Sequence, residues 1–376
     1  MNIKRIGSVA AIAAVGALAL SSCAANESSS TTSGSSSSAS ASSSSGTADL
    51  SSLSGTLNGI GSSAQATAQT TWTSGFQGQA SGVTINYNPA GSGAGVTGFT
   101  AGSDDFAGSD IPLTTDQLKA TFKSCAAGSS AIDIPDYISP IAIAYNVQGL
   151  SNLTLDASTI AKIFSGKITM WNDPAIAKLN SGASLPAAKI NVVHRSDKSG
   201  TTANFTEYLA AAAPSDWTSA PSEAFPVQIG DAAQGTSGVA AALKSASDSI
   251  TYIDNSGATG LSKAKLSIGG KVRAITAAGA AAVVGQAQQD SGRSANDLAL
   301  TIPRTTTGAN DWPIVLASNL VACQQYADPA KAKLIKAYFN YIISDAGQKA
   351  SAAQAGSAPL SSELAAKDAK AIASIK

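Results

Sequence analysis

Charge is scarce in this 376-residue chain: Asp, Glu, Lys and Arg together make up 13% of it, divided evenly into 24 basic and 24 acidic residues. Without a basic excess there is no electrostatic footprint for a nucleic-acid partner, and none is expected. Histidine occurs once, as His194, and cysteine three times, with no zinc-type spacing among them, so no metal site is expected. The G-x-x-x-x-G-K-[ST] pattern of a nucleotide-binding loop is missing. A serine-hydrolase triad would have to use His194, which strand alternation turns away from its neighbour Arg195. Neither catalytic residues nor a cofactor are expected on these grounds. No fixed-period repeat is visible, which argues against a solenoid.

One apolar run stands out, from Ile6 to Leu20 after Lys4 and Arg5. It is too short and too rich in small residues to span a bilayer, and residues 1–22 read as an export signal. The run ends in "LSSC", which resembles a bacterial lipobox in which Cys23 is lipid-modified and becomes the first residue of the processed chain; an ordinary signal cut after "CAA" is the alternative. Residues 23–47 are almost entirely Ser, Thr, Ala and Gly, too poor in apolar area to offset their ordering entropy, and read as a disordered tether. Export leaves Cys125 and Cys323 either bridged or as two separate buried thiols.

Beyond the tether, strand and helix patterns alternate, which gives an α/β fold class. "GTLNGIGSSAQ", "GVTINYNPAGSGAG" and "DDFAGSDIPLTTDQL" each read as a strand, a Gly/Ser/Asp turn and a helix, the last helix starting at Thr114. Their turns carry Ser63, Ser92 and Asp110. Continuous apolar runs in "SPIAIAYNV" and "WPIVLASNLVAC" suit strands covered on both faces. Asp156 and Asp173 are positioned as helix caps, with Pro174 at a first helical position and Gly166 as a stop.

"RSDKSGTTANF" places Arg195, Asp197, Ser199, Gly200 and Thr201 at one helix start. A guanidinium suits bidentate oxyanion binding, and N–H groups at the positive end of a helix suit any anion. Asp197, two residues on, is placed to hold the guanidinium still. A surface ion pair beside a Ser-capped helix explains the same residues without a ligand.

Taken together, "RSDKSGTT", "AGSGAGVTGFTAGSDDFAGSDIPLT", "LTLDASTIAKIFSGKITMWNDPAIAKLN" and "GANDWPI" resemble the PstS family, the phosphate-binding proteins of bacterial phosphate ABC importers, from about Gly55 to the C-terminus. The resemblance implies a two-lobed periplasmic-binding-protein fold of type II, with two α/β domains joined by two crossing segments. It implies a discontinuous first lobe of residues 48–147 and 312–376, and a second lobe of residues 148–311. Carried over by position, Ser63, Ala64, Ser92, Asp110, Arg195, Ser199, Gly200 and Thr201 are the expected phosphate-binding residues, and Asp197 orients the arginine. Departures exist: Ala64 stands where some relatives carry an aromatic residue, and the second loop reads Ser-Gly rather than Ser-Ser. The implied partners are inorganic phosphate and membrane permease subunits, with membrane contact through the lipid anchor alone and the protein acting as a monomer. Another tetrahedral oxyanion such as sulfate or molybdate, a phosphatase activity, or an added role as adhesin or sensor are the alternatives.

Overall fold

The computed structural model describes residues 50–376. The expected signal (1–22), Cys23 and the tether (23–47) lie outside the described residues. The first elements are β1 (Ser54–Gly61), α1 (Ala66–Gln77), β2 (Gly82–Asn88), α2 (Ser92–Ala101), β3 (Phe106–Ser109) and the long β4 (Ala131–Asn146). Next come β5 (Thr154–Leu155), α3 (Ala157–Phe164), α4 (Pro174–Leu179), β6 (Asn191–Arg195), α5 (Gly200–Ala212), β7 (Asp231–Ala233), α6 (Gly235–Ser245) and β8 (Ser249–Asp254). Short strands β9 (Ser262–Lys263), β10 (Lys265–Ile268), β11 (Lys271–Arg273), β12 (Gln288–Gln289) and β13 (Leu300–Thr301) flank α7 (Ala277–Val284). The chain closes with β14 (Val315–Cys323), α8 (Pro329–Ile343), α9 (Asp345–Ala355) and α10 (Ser362–Ser374).

The strands follow the order β2-β1-β3-β14-β4-β8-β6-β7. On one side β1 runs parallel to β2 and β3; on the other β6 runs parallel to β7 and β8. β4 belongs to both sides, and every residue of it but Asn146 is buried. It pairs with β14 as far as Pro140, opposite Val315, and with β8 from Ile141, opposite Asp254. At that crossing the returning chain comes alongside, the Ile141 N–H donating to the Ile314 carbonyl at 2.7 Å. Loops at the carboxyl ends of the parallel strands from both sides therefore face one another, the usual ligand position in open α/β sheets.

Local chemistry accounts for the element boundaries. Asp156 accepts the Thr159 N–H, Asp173 accepts the Ala175 N–H ahead of which Pro174 stands, and Gly166 takes the left-handed φ of 76° that a stop after α3 needs. The helix expected from Thr114 does not form. Thr114 and Gln117 cap each other reciprocally, yet only one 3-10 turn (Gln117–Lys119) follows before Ala120 becomes extended. Phe122, packed on Phe99, and Cys125, bridged to Cys323 at the end of β14, draw the chain away from a helical path. Residues 277–301 pack on the β14 side: Ala280 and Val283 of α7 join one apolar cluster with Ile138, Val315 and Ala317, and Arg293 pairs with the buried Asp133 of β4.

Candidate functional site

Three loops come from the β1 side. After β1, Ser62 and Ser63 precede α1; after β2, Gly91 precedes Ser92, the first residue of α2; after β3 comes Asp110. All are buried apart from Gly91's immediate predecessors. Two loops come from the other side: β6 delivers Arg195 and leads through Asp197 and Ser199 into α5, and β7 leads into α6 at Gly235.

These loops meet. The Ser92 hydroxyl oxygen accepts the N–H of Asp110 and the N–H of Gly200, each at 3.2 Å. Thr201 donates its hydroxyl to Asp110 Oδ2 at 3.0 Å, and Ser318 of β14 donates to Oδ1 at 2.7 Å. The Ser63 hydroxyl oxygen accepts the Thr236 N–H at 3.0 Å, which ties the first loop to the start of α6. Ser199 caps α5 by accepting the Thr202 N–H at 3.2 Å. Contact is so close that a Cβ on Gly200 would lie 2.6 Å from Asp110 Cβ.

Arg195 is 4% exposed and forms a two-pronged pair with Asp197, Nε donating to Oδ1 at 2.7 Å and Nη2 donating to Oδ2. Asp197 Oδ1 also accepts the Gly235 N–H at 3.1 Å. Burial opposes the Asp197 charge, but the hydrogen bonds and charge of Arg195, with the Gly235 N–H, outweigh it and hold the carboxyl below its usual range. This geometry is a buried, preorganised fork and differs from an exposed surface ion pair. For Asp110 the balance runs the other way. Burial pushes its carboxyl up, against the hydrogen bonds of Ser62, Ser318 and Thr201 and the charge of Arg195. His194 stacks on Phe225 with ring centroids 4.4 Å apart, outside this cluster.

Of the residues singled out in the sequence, Ser63, Ser92, Asp110, Arg195, Asp197, Ser199, Gly200 and Thr201 are thus joined in one cluster of contacts. Ala64 differs: it is buried, and its N–H is engaged by the Ser62 hydroxyl at 3.1 Å. Sequence reasoning passed over Gly235 and Thr236, although "QGTSG" is another Gly/Ser/Thr turn opening a helix. It also passed over Ser318, one of two polar residues inside an apolar strand, and over Asn204 and Arg304. Asn204 Nδ2 donates to the carbonyls of Asp110 (2.7 Å) and Gly200 (2.9 Å), while Arg304 holds the Asn204 side-chain oxygen, Glu207 and the Val315 carbonyl.

The arrangement invites comparison with known proteins. A family model described as a PBP superfamily domain matches residues 26–346. The phosphate-binding protein PstS 3 of Mycobacterium leprae (strain TN) is 39% identical over 300 residues, covering 77% of this chain and 79% of that protein. The phosphate-binding protein PstS 2 of Mycobacterium tuberculosis (strain ATCC 25618 / H37Rv) is 40% identical over 327 residues, covering 85% and 87%. Among solved structures, that of a high-affinity periplasmic phosphate-binding protein (PfluDING) bound with phosphate matches with a TM-score of 0.70 at 24% identity, over 83% of this chain and 92% of that one. The last likeness bears on the fold, which is the two-lobed periplasmic-binding-protein fold. Identity at this level across most of both chains, on that fold and with the two sets of strand-end loops in contact, makes the chain a member of the PstS family of phosphate-binding proteins.

Proposed function

We propose that this protein binds inorganic phosphate outside the cytoplasm and delivers it to an ABC permease, with Ser63, Ser92, Asp110, Arg195, Ser199, Gly200 and Thr201 forming the site, Asp197 orienting the guanidinium and Ala64 contributing backbone shape. The observation that carries this reading is a buried carboxylate, Asp110, set among hydroxyl and N–H donors with a fixed guanidinium in electrostatic reach. Ser92 and Ser199 each accept a backbone N–H, and a hydroxyl so placed keeps its own proton for an anion; Ser63 accepts the Thr236 N–H and shares a further hydrogen bond with the Thr236 hydroxyl at 3.0 Å. The Arg195 fork spends Nε and Nη2 on Asp197, leaving Nη1 to meet the ligand. Local dipoles supply the rest of the charge compensation, as suits a chain with so few cations.

Asp110 supplies the selectivity. Phosphate carries at least one proton at neutral pH and sulfate carries none, so an ionised Asp110 accepts a hydrogen bond from the first and meets only lone pairs on the second. Arsenate, which keeps a proton too, is accommodated by the same logic. Asp110→Asn should cut the preference for phosphate over sulfate by about tenfold or more, the worth of one charge-assisted hydrogen bond in a closed cleft. Calorimetric titration with phosphate, sulfate and arsenate measures it, and an unchanged ratio would remove the proton-acceptor role.

The lobes divide in this reading where β4 and the returning chain cross, near Pro140 and Ile314, and closure about these strands forms the site. Residues 277–301, expected within the second lobe of residues 148–311, pack instead on β4 and β14, and in this reading they go with the first lobe. We read the chain as a binding protein rather than an enzyme, acting as a monomer. The export-type N-terminus and the lipobox-like "LSSC" support a lipid anchor at Cys23, outside the membrane-facing work of the folded body. Among the described residues no helix is long and apolar enough to cross a membrane. Cys23→Ala should shift the protein from the membrane to the soluble fraction of an expressing bacterium; equal membrane retention would rule the anchor out.

A further inference from the structure

We propose that Ser318 is a specificity-determining positioning residue: its hydroxyl, oriented by Gln65, keeps Asp110 an acceptor and so maintains the preference for a proton-bearing oxyanion. The inference rests on the phosphate reading above and adds the residues that hold its selective group in the required state.

Backbone geometry brings Ser318 to this position. Ser318 lies fully buried on β14, and the register between β14 and β4 breaks immediately after it: Ser318 faces Tyr137, Asn319 faces Pro135, and Asp136 is the extra residue. Bulges of this kind bend a strand and re-aim its side chains, and they concentrate beside functional sites. Asn319 pairs with Ser109, the residue before Asp110, so the break turns the Ser318 hydroxyl onto Asp110 Oδ1 at 2.7 Å.

The direction of that hydrogen bond is fixed from behind. Tyr338 donates its hydroxyl to Gln69 Oε1 at 2.9 Å, and Gln69 Nε2 donates to Gln65 Oε1 at 2.8 Å. Both amides are thereby oriented, and Gln65 presents Nε2 to Ser318 Oγ at 2.5 Å and to Asp136 Oδ1 at 3.2 Å. An amide NH₂ only donates, so Ser318 Oγ must accept there, and its single proton goes to Asp110. A proton on Asp110 Oδ1 would face this proton directly. The chain therefore favours the ionised carboxylate at a place where burial pushes the other way.

Other ionisable groups that feel Asp110 are Arg195 on β6, Asp136 on β4, Asp254 on β8, Tyr87 on β2 and Glu223 beyond α5. Arg195 is the one cation among them, and its guanidinium is shared with Asp197. Asp136 is itself pushed well above the usual carboxylate range by burial and by Asp368 and Asp110, so a second charge there is disfavoured. The Ser318 hydroxyl is thus a principal support for the Asp110 charge that does not come from the ligand-facing loops.

The sign follows. Without the Ser318 hydroxyl, Asp110 takes up a proton at a higher pH than in the wild type. A protonated Asp110 can donate to sulfate, so sulfate gains while phosphate loses its distinguishing contact. Phosphate and sulfate titrations of the full chain over roughly pH 5 to 8 test this with the wild type, Ser318→Ala and Ser318→Thr, with the melting temperature of each variant as a check on folding. The expected result is a phosphate-to-sulfate affinity ratio that falls about tenfold in Ser318→Ala, with its decline displaced to higher pH, and that Ser318→Thr largely restores. A ratio in Ser318→Ala equal to the wild type at every pH overturns the proposal. So does a uniform loss of both anions at constant ratio, or an equal selectivity loss in Ser318→Thr, since either places the effect in packing. Failure of the wild type to bind phosphate at all would instead overturn the functional reading on which the proposal stands.

Discussion

Arg195→Ala is expected to weaken phosphate and sulfate binding by the same factor, on the order of a hundred- to a thousandfold. Removing one partner of a buried, hydrogen-bonded ion pair typically costs about 3–5 kcal/mol, at about 1.4 kcal/mol per decade of affinity. Two contributions add in the same direction here. The anion loses the donors of a guanidinium held in place by two bonds to Asp197, and Asp197 is left beside the site with backbone N–H groups, those of Gly235 and its own, in place of a cation to answer its charge. Neither contribution reads the proton on the ligand, so the loss should not discriminate between anions. This separates the arginine from Asp110, whose replacement should change mainly the ratio. The second contribution can be isolated. In the double variant Arg195→Ala/Asp197→Asn the unpaired carboxylate is gone, and part of the affinity should return. Arg195→Lys, which keeps the charge and loses the fork, should fall between wild type and alanine. Calorimetry with both anions decides the matter: wild-type affinity in Arg195→Ala would take the residue out of the site.

The contrast between these two residues also shows what the sequence could and could not disclose. Strand, turn and helix starts were legible because their chemistry is local: an N-cap such as Asp156 or Ser199 sits three residues from the N–H it accepts, and Gly166 stops its helix by its own φ. The anion loops were legible for the same reason, those carrying Ser63, Ser92 and Ser199 being short Gly/Ser turns ahead of a helix. Contacts set by topology were not. Ser92 meets Gly200, and Ser63 meets Thr236, only because the two sets of parallel strands point their carboxyl ends at each other. Ser318 was hidden by the apolar character of its strand, where a single hydroxyl reads as tolerated rather than required. Its role depends on a register break opposite Asp136, which no local pattern announces. The missing helix after Thr114 failed in the opposite sense: a sound local cap was present, and the buried Phe122 and the Cys125–Cys323 bridge overrode it. Asn204 and Arg304 lay beyond reach because their roles are defined by carbonyls on Asp110 and Val315, brought near by the fold.

Gly200→Ala should abolish tight binding while leaving the folded protein as stable as before. The residue is the first of α5, where alanine is locally favourable and the helix itself offers no obstacle. The obstacle lies across the cleft: an added Cβ would come to 2.6 Å from Asp110 Cβ, 2.7 Å from Ser92 Oγ and 3.1 Å from Asp110 Cα. Two of these atoms belong to or adjoin the backbone, so the overlap cannot be relieved by swinging a flexible side chain and is removed only by moving the two loops apart. Separation breaks the Ser92–Gly200, Thr201–Asp110 and Asn204–Asp110 contacts together and draws the Arg195 side away from the Asp110 side. A ligand can shift the open–closed balance only through contacts that differ between the two states, and those contacts are the ones lost. With two charge-assisted bonds forfeited at roughly 1.5–3 kcal/mol each, phosphate affinity should fall by about a hundredfold to ten-thousandfold. Gly238→Ala, in α6 with its nearest neighbour at 3.8 Å, serves as a control and should bind normally. Small-angle scattering supplies the second measurement: saturating phosphate should compact the wild type and the control but not Gly200→Ala. If Gly200→Ala binds and compacts like the wild type, then Asp110 and the start of α5 do not meet in the loaded protein, and the Ser92, Asp110 and Thr201 contacts cannot be what grips the anion.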